Sequence, residues 1–376
     1  MKLWRLIIDN SLLLVAGAVA ALLWANVDLE SYEHFTHGPL HFIVNDIGMV
    51  FFFALAAKEV FEATLSGGPL SSPRKAATPI LAALGGMLGP ALLYVAFVSG
   101  SGDPDLVRGW AIPCATDIAF SYLAVGMVFS KTHPALPFLL LLAIADDAMG
   151  LMILAVFYPS GAVSAGNLVA WLLPGMAFAE LLRRRKVESF WPYVILGGGL
   201  AWTGMYLGGL HPALALVPIV PLMPHAKRDL GIFDDREPNR PDTLSQFEHF
   251  FKVPVQIVLF FFGFANAGVP MSAVGAVTWA VLGALLIGKP AGILLATRLG
   301  DALGFERAPG LDYRSITVLG IAAGIGFTVA LFFTTAAFEP GPTLNAAKMG
   351  ALLSFVALPL TIIAARLLRV TATPST

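Results

Sequence analysis

Apolar residues run in blocks of close to twenty from one end of the chain to the other, separated by short polar breaks. A membrane-crossing helix needs about 20 such residues. Hydropathy therefore predicts spans over residues 11–27, 38–62, 76–100, 107–130, 135–158, 162–181, 189–207, 208–223, 253–271, 274–297, 315–338 and 346–366. The longest polar stretch, Pro224 to Lys252, covers 29 residues. It leaves no room for a soluble domain, and residues 1–376 read as one transmembrane domain with 224–252 as its longest cytoplasmic loop.

Charge decides how the crowded stretches divide. Glu188 to Met223 and Val253 to Ala296 can each be read as one long span or two short ones. With the amino terminus inside, 19 of the 23 Lys and Arg residues fall on the cytoplasmic side, only Arg108 and Lys348 lie outside, and Lys58 and Lys289 remain within spans. This asymmetry is the positive-inside rule. It requires an even number of crossings between the Arg183–Lys186 cluster and Lys227, and again between Lys252 and Arg298. Each crowded stretch is therefore two spans, which predicts an all-α polytopic protein of twelve transmembrane helices with both termini cytoplasmic. Lys2, Arg5 and the apolar run Ser11 to Trp24 resemble a signal peptide, but no small-x-small cleavage site follows, so this is read as a retained first span.

Composition narrows the function. The chain is 57% hydrophobic and 12% charged, against about 25% charged in an average soluble domain, which excludes an ordinary soluble enzyme. A net charge of −1, with 27 Phe set among Leu and Ala, offers nucleic acid no surface. Cys114 is the sole cysteine, so it forms no intrachain disulfide and suggests no metal cage.

Ionisable groups near the bilayer centre cost about 2.5–3.5 kcal/mol each. The deep ones are Asp117, the pair Asp146 and Asp147, and Lys289, while Asp46 lies in the outer half of span 2 beside Asn45. Pro113 predicts a break in span 4, because it removes a backbone donor and clashes with the preceding turn. The carbonyls so freed, with the Thr116 hydroxyl and the Asp117 carboxylate, are the oxygen ligands a hard cation accepts in exchange for water. A plain Pro kink capped by Thr116 accounts for Thr116 and not for Asp117.

Asp146 and Asp147 lie about 100° apart around a helix, so one can face a cavity while the other faces a neighbouring span. Lys289, in Gly288-Lys289-Pro290, is the cation available to one of them. A purely structural Asp–Lys pair leaves the other aspartate unexplained. Span 11 carries Gly320, Gly324 and Gly326 in an uncharged interruption. Such glycines serve close helix packing or a second broken span, and two breaks in corresponding halves point to an inverted-repeat transporter. No residue-level repeat between the halves is visible.

Taken together, Ala111 to Phe120 (AIPCATDIAF), Leu142 to Asp147 (LAIADD), Phe264 to Val269 (FANAGV), Gly288 to Ile293 (GKPAGI) and Gly324 to Thr328 (GIGFT) resemble the NhaA family of sodium/proton antiporters, in the same order along most of the chain. The resemblance implies twelve spans in inverted-topology repeats, the fourth and eleventh unwound and crossing near mid-membrane, in a multi-pass protein of the bacterial inner membrane. It implies that Asp117 and Asp147 bind Na⁺ or Li⁺ with help from Thr116, that Asp146 exchanges between Lys289 and a proton-linked role, and that no cofactor is needed. The Asp-Asp form goes with electrogenic exchange of two protons per sodium. By the same resemblance His211, Glu248 and Glu62 join in the response to pH.

Two departures stand out. Relatives carry a Gly-Leu-Glu-x-Lys-Arg-Glu run at the end of span 2, whereas this chain reads Leu55-Ala56-Ala57-Lys58-Glu59-Val60-Phe61-Glu62, with only Glu62 easily aligned. Many relatives form a homodimer through a β-hairpin between spans 1 and 2, where this chain has a loop of only about ten residues from Asp28 to His37.

The mechanism this predicts is competition of Na⁺ and H⁺ for the same oxygens, with the empty, doubly charged site unable to change sides. An intramembrane aspartyl protease would need a Gly-x-Gly-Asp motif, and the comparable Gly324 to Gly326 continues into Phe327. A retinal protein on Lys289 conflicts with twelve spans and with Pro290. The nearest alternative, a sodium-coupled symporter of an organic anion with a related inverted-repeat fold, would lack Lys289 and the Asp-Asp pair.

Overall fold

Among the described residues every regular element is helical. The computed structural model describes residues 11–68, 70, 73–225, 242–305, 307 and 309–370. Lys2, Arg5 and most of the expected loop 224–252, including Lys227, Arg228, Arg236 and Arg240, lie outside the described residues.

The described residues open with α1 (Leu12–Val27), a short helix at Leu29–Thr36 and α2 (Pro39–Thr64). Next come α3 (Pro73–Ser99), a 3₁₀ stretch at Pro104–Cys114, α4 (Ile118–Gly126), α5 (Ala135–Phe157) and α6 (Ala165–Arg184). A π-helical turn at Tyr193–Gly198 leads into α7 (Gly199–Gly208). The remaining helices are α8 (Thr243–Asn266), α9 (Ala276–Ala302), α10 (Tyr313–Ala323), α11 (Phe327–Ala337) and α12 (Pro342–Leu367). Among the described residues seven helices are long and apolar enough to cross a bilayer, or eight if α10 and α11, bent by 51° at their junction, count as one.

The expected eighth span, 208–223, is not a helix. It folds as short 3₁₀ turns at Pro212–Leu214 and Val220–Leu222. The reason is local: Pro212, Pro218 and Pro221 each remove an N–H that an α-helix would need. In α2 the π-helical turn Ile43–Gly48 bulges the helix, and the Asp46 carbonyl takes up the Trp202 indole N–H at 2.8 Å, joining α2 to α7. Such a bulge persists in an apolar interior when its backbone groups find partners.

Glycines set how closely the helices pack. Gly85 and Gly89 of α3 face Gly288 and Gly292 of α9, backbone against backbone, so that a Cβ at any of these four positions would run into the opposite main chain. Small residues at four-residue spacing form such a seam, and it holds the Lys289 side chain, fully buried, beside α3. Gly17 of α1 and Gly263 of α8 make a similar close approach, reinforced by the amide pair Asn45–Asn266, whose Asn266 Nδ2 donates to Asn45 Oδ1 at 2.9 Å and joins α2 to α8.

Gly292→Ala is expected to destabilise the protein by about 1–3 kcal/mol, the usual cost of overpacking, read as a lowered unfolding midpoint in detergent. Gly283→Ala, whose added methyl meets open space, should leave that midpoint unchanged or raise it. Equal behaviour of the two variants would contradict the seam.

Candidate functional site

The site forms where two helices stop short. After Cys114 the chain runs extended from Ala115 to the Asp117 cap of α4, and Gly324–Gly326 separates α10 from α11. Backbone groups released from a helix inside an apolar core must be paired. Here the two interruptions pair each other. The Asp117 N–H donates to the Ile325 carbonyl at 2.7 Å, Ser121 Oγ donates to the Ala322 carbonyl at 2.8 Å, and the Thr116 hydroxyl reaches the Ala323 carbonyl at 3.2 Å.

Asp117 caps α4, where Oδ1 accepts the Phe120 N–H at 3.5 Å. Its other oxygen, Oδ2, accepts both the backbone N–H of Thr328 at 3.1 Å and the Thr328 hydroxyl. One carboxylate thus sits at the amino ends of both α4 and α11, where free N–H groups and the helix dipoles favour negative charge. Lys289 does the converse. Its ammonium donates to the Cys114 carbonyl, at the carboxyl end of the 3₁₀ stretch, and lies 3.1 Å from Asp146 Oδ2 with both side chains sealed from solvent.

Asp146 and Asp147, both on α5, point to different partners. Asp146 Oδ2 also accepts the Thr116 hydroxyl at 2.7 Å, while its Oδ1 is buried without a hydrogen bond. Asp147 is partly exposed and makes no hydrogen bond among the described residues; its charged neighbours are Glu59, Asp146, Asp117 and Lys289. Counting the three aspartates against the Lys289 ammonium, and leaving Glu59 with its neighbour Lys58, two negative charges remain for protons or cations to balance. Carboxylate, hydroxyl and carbonyl oxygens are suitable ligands for a hard monovalent ion. No three His, Cys, Asp or Glu side chains converge as a metal cage among the described residues.

The residues considered for a pH response lie apart from this core. Glu62 and Glu248 meet on the Lys58 ammonium, at 2.6 and 2.5 Å, joining α2 to α8. His211 caps the turn Pro212–Leu214, its Nδ1 accepting the Ala213 N–H at 3.4 Å, and its ring packs on Phe332 with centroids 4.8 Å apart. Asp46, Arg108 and Lys348 line a separate cavity of about 410 Å³ with His37 and His41.

Sequence reasoning passed over Thr328 and Lys58. The Gly-Ile-Gly-Phe-Thr run drew attention to its glycines, although the hydroxyl at its end makes the contact. Lys58 stood within a span with no partner assigned, yet its four-residue spacing to Glu62 was readable.

Lys289→Met should strand Asp146 in the core and destabilise the protein by about 3–5 kcal/mol, the cost of breaking a buried pair from one side. Adding Asp146→Asn should recover most of that loss. Thermal unfolding in detergent reads both effects, and a double variant no more stable than the single one would contradict the pairing.

The profile of the family described as Na+/H+ antiporter 1 matches residues 4–365. The chain is 46% identical to the Na(+)/H(+) antiporter NhaA of Geobacter metallireducens, over 98% of this chain and 99% of that one. It is 48% identical to Na(+)/H(+) antiporter NhaA 1 of Pelobacter propionicus, over 96% and 97% of the two chains, and 47% identical to the NhaA of Geotalea uraniireducens, over 98% and 97%. With seven or eight apolar spans and only helical elements among the described residues, and with this match along nearly its whole length, the chain is a multi-pass membrane protein and belongs to the Na⁺/H⁺ antiporter 1 family.

Proposed function

We propose that this chain is an electrogenic Na⁺(Li⁺)/H⁺ antiporter of the bacterial inner membrane, exporting sodium against entering protons in pH and sodium homeostasis. The observation that carries the reading is the unpaired Asp147 carboxylate beside Asp117 and Asp146 at the junction of two interrupted helices. The names of the relatives agree with Na⁺/H⁺ exchange, and family membership speaks against a symporter of organic anions.

Twelve spans fit this geometry when Pro104–Cys114 with α4, α10 with α11, and the turns of 208–223 are each counted as one crossing. Arg108 and Lys348, the two basic residues assigned to the outside, share one cavity with the His37 end of the first loop. Lys58, toward the inner end of span 2, pairs with Glu248 of the loop assigned to the inside. Both pairings fit the division of these residues between two sides, and the positive-inside count is what puts the termini in the cytoplasm.

In this reading Asp147 receives the cation first, because its oxygens are committed to no hydrogen bond, and Asp117 and Thr116 complete the oxygen set. Asp146 passes between Lys289 and a proton. Two protons balance the two excess negative charges in one half-cycle, whereas a single Na⁺ balances only one in the other. Each turnover therefore moves one net charge. An empty site holds two uncompensated charges in a dry interior, which opposes its crossing and enforces the coupling.

In proteoliposomes with an imposed ΔpH, added Na⁺ or Li⁺ is expected to dissipate the gradient, faster under a membrane potential of favourable sign. Asp147→Asn should reduce this flux to the level of empty liposomes. Competition further requires that the apparent KM for Na⁺ rise as pH falls while Vmax at saturating Na⁺ holds. Flux without response to potential would contradict the charge count, and a normal Asp147→Asn variant would contradict the site.

A further inference from the structure

We propose that Thr328 is a cation-binding residue of this site, supplying a hydroxyl oxygen that Asp117 polarises. The inference rests on the antiport reading and adds a ligand to it. Three observations carry it.

First, the Thr328 side chain is 3% exposed, and its single hydroxyl proton is committed to Asp117 Oδ2. A hydroxyl has one proton and two lone pairs. No described donor reaches the lone pairs of this one, so a buried oxygen is left with its acceptor capacity unused at the point where the helices part. A proton given to a carboxylate also leaves the hydroxyl oxygen more negative, hence a better ligand for a hard cation.

Second, this hydroxyl does not serve its own helix. Thr297, Thr334 and Thr361 donate to carbonyls three or four residues back, at Ile293, Leu331 and Ala357, which is the ordinary fate of threonine in an apolar helix. Thr328, in the first turn of α11 with no helical turn before it, instead reaches across to the other interruption.

Third, Thr116 does the same in the opposite sense. It stands on the first interruption and reaches Ala323 of the second as well as Asp146, while Thr328 stands on the second and reaches Asp117 of the first. The two hydroxyls thus form a reciprocal pair, each tied to one of the two buried carboxylates. An ion drawn to Asp147, which has those two carboxylates among its charged neighbours, gains neutral oxygens without further negative charge, and with carboxylates already in excess a neutral ligand is the less costly addition.

Three substitutions separate ligation from mere support of Asp117. Thr328→Val removes the oxygen and keeps the shape, Thr328→Ser restores the oxygen, and Thr328→Cys keeps a weak donor to Asp117 but offers a soft sulfur that a hard cation rejects. Expected in proteoliposomes is an apparent KM for Na⁺ and Li⁺ raised about tenfold or more in the Val and Cys variants, with Vmax retained and the Ser variant close to wild type. A Cys variant matching Ser would reduce Thr328 to a donor for Asp117 and overturn the proposal, as would a Val variant with the wild-type KM. If the Val variant does not fold, Thr328→Ala carries the same comparison. Equilibrium ²²Na⁺ binding to the purified variants asks the question without transport: loss of binding in Val and Cys but not Ser upholds the ligand even if the wild type exchanges no protons, a result that would remove the antiport reading alone.

Discussion

A single backbone hydrogen bond, from the Asp117 N–H to the Ile325 carbonyl at 2.7 Å, ties together the two places where helix gives way. In water such a bond is worth about 0.5–1.5 kcal/mol net. In a bilayer core the alternative is a pair of unsatisfied polar groups, each costing several kcal/mol. The interruptions are therefore stable only as a pair. The surrounding polar side chains follow from this constraint: Asp117 takes the N–H groups that two helix starts leave free, Lys289 takes a carbonyl that a helix end leaves free, and Thr116, Thr328 and Ser121 fill the remaining positions.

The same arrangement gives each charged group a different degree of freedom. Lys289 and Asp146 are sealed and mutually bound. Asp117 is held by donors from two helices. Asp147, one residue from Asp146, is the least encumbered. The transport role proposed for these residues needs both rigidity, to hold a dehydrated ion, and an oxygen ready to receive it. Consecutive aspartates on a helix divide these tasks because 100° of rotation separates them.

How much of this could be read from the chain depended on what each residue type reveals. Asp117, Asp146, Asp147 and Lys289 stood out because an ionisable group in an apolar run is expensive and demands a reason. Pro113 lies next to the end of the 3₁₀ stretch and Gly324 caps α10, so these two helix ends were also legible. Thr328 was not, since threonine in an apolar segment ordinarily satisfies itself on its own helix, as Thr297, Thr334 and Thr361 do. The segment 208–223 misled in the other direction. Hydropathy measures the partition of side chains and is blind to backbone donors, so a run with Pro212, Pro218 and Pro221 scores as a span while folding as turns. Pairings such as Lys58 with Glu248, 190 residues apart, are visible only once the helices are packed.

The glycine seam between α3 and α9 has a mechanical consequence. Gly85, Gly89, Gly288 and Gly292 set main chain against main chain, and a one-residue screw of either helix, a rise of about 1.5 Å with a turn of about 100°, would bring Leu84, Leu88 or Ile287 into a gap made for a hydrogen atom. The two helices are locked in register, and α9 carries Lys289. Any rearrangement that alternately opens this protein must therefore leave α3, α9 and the lysine as one stiff beam, with the displacement taken up where other helices lean on it.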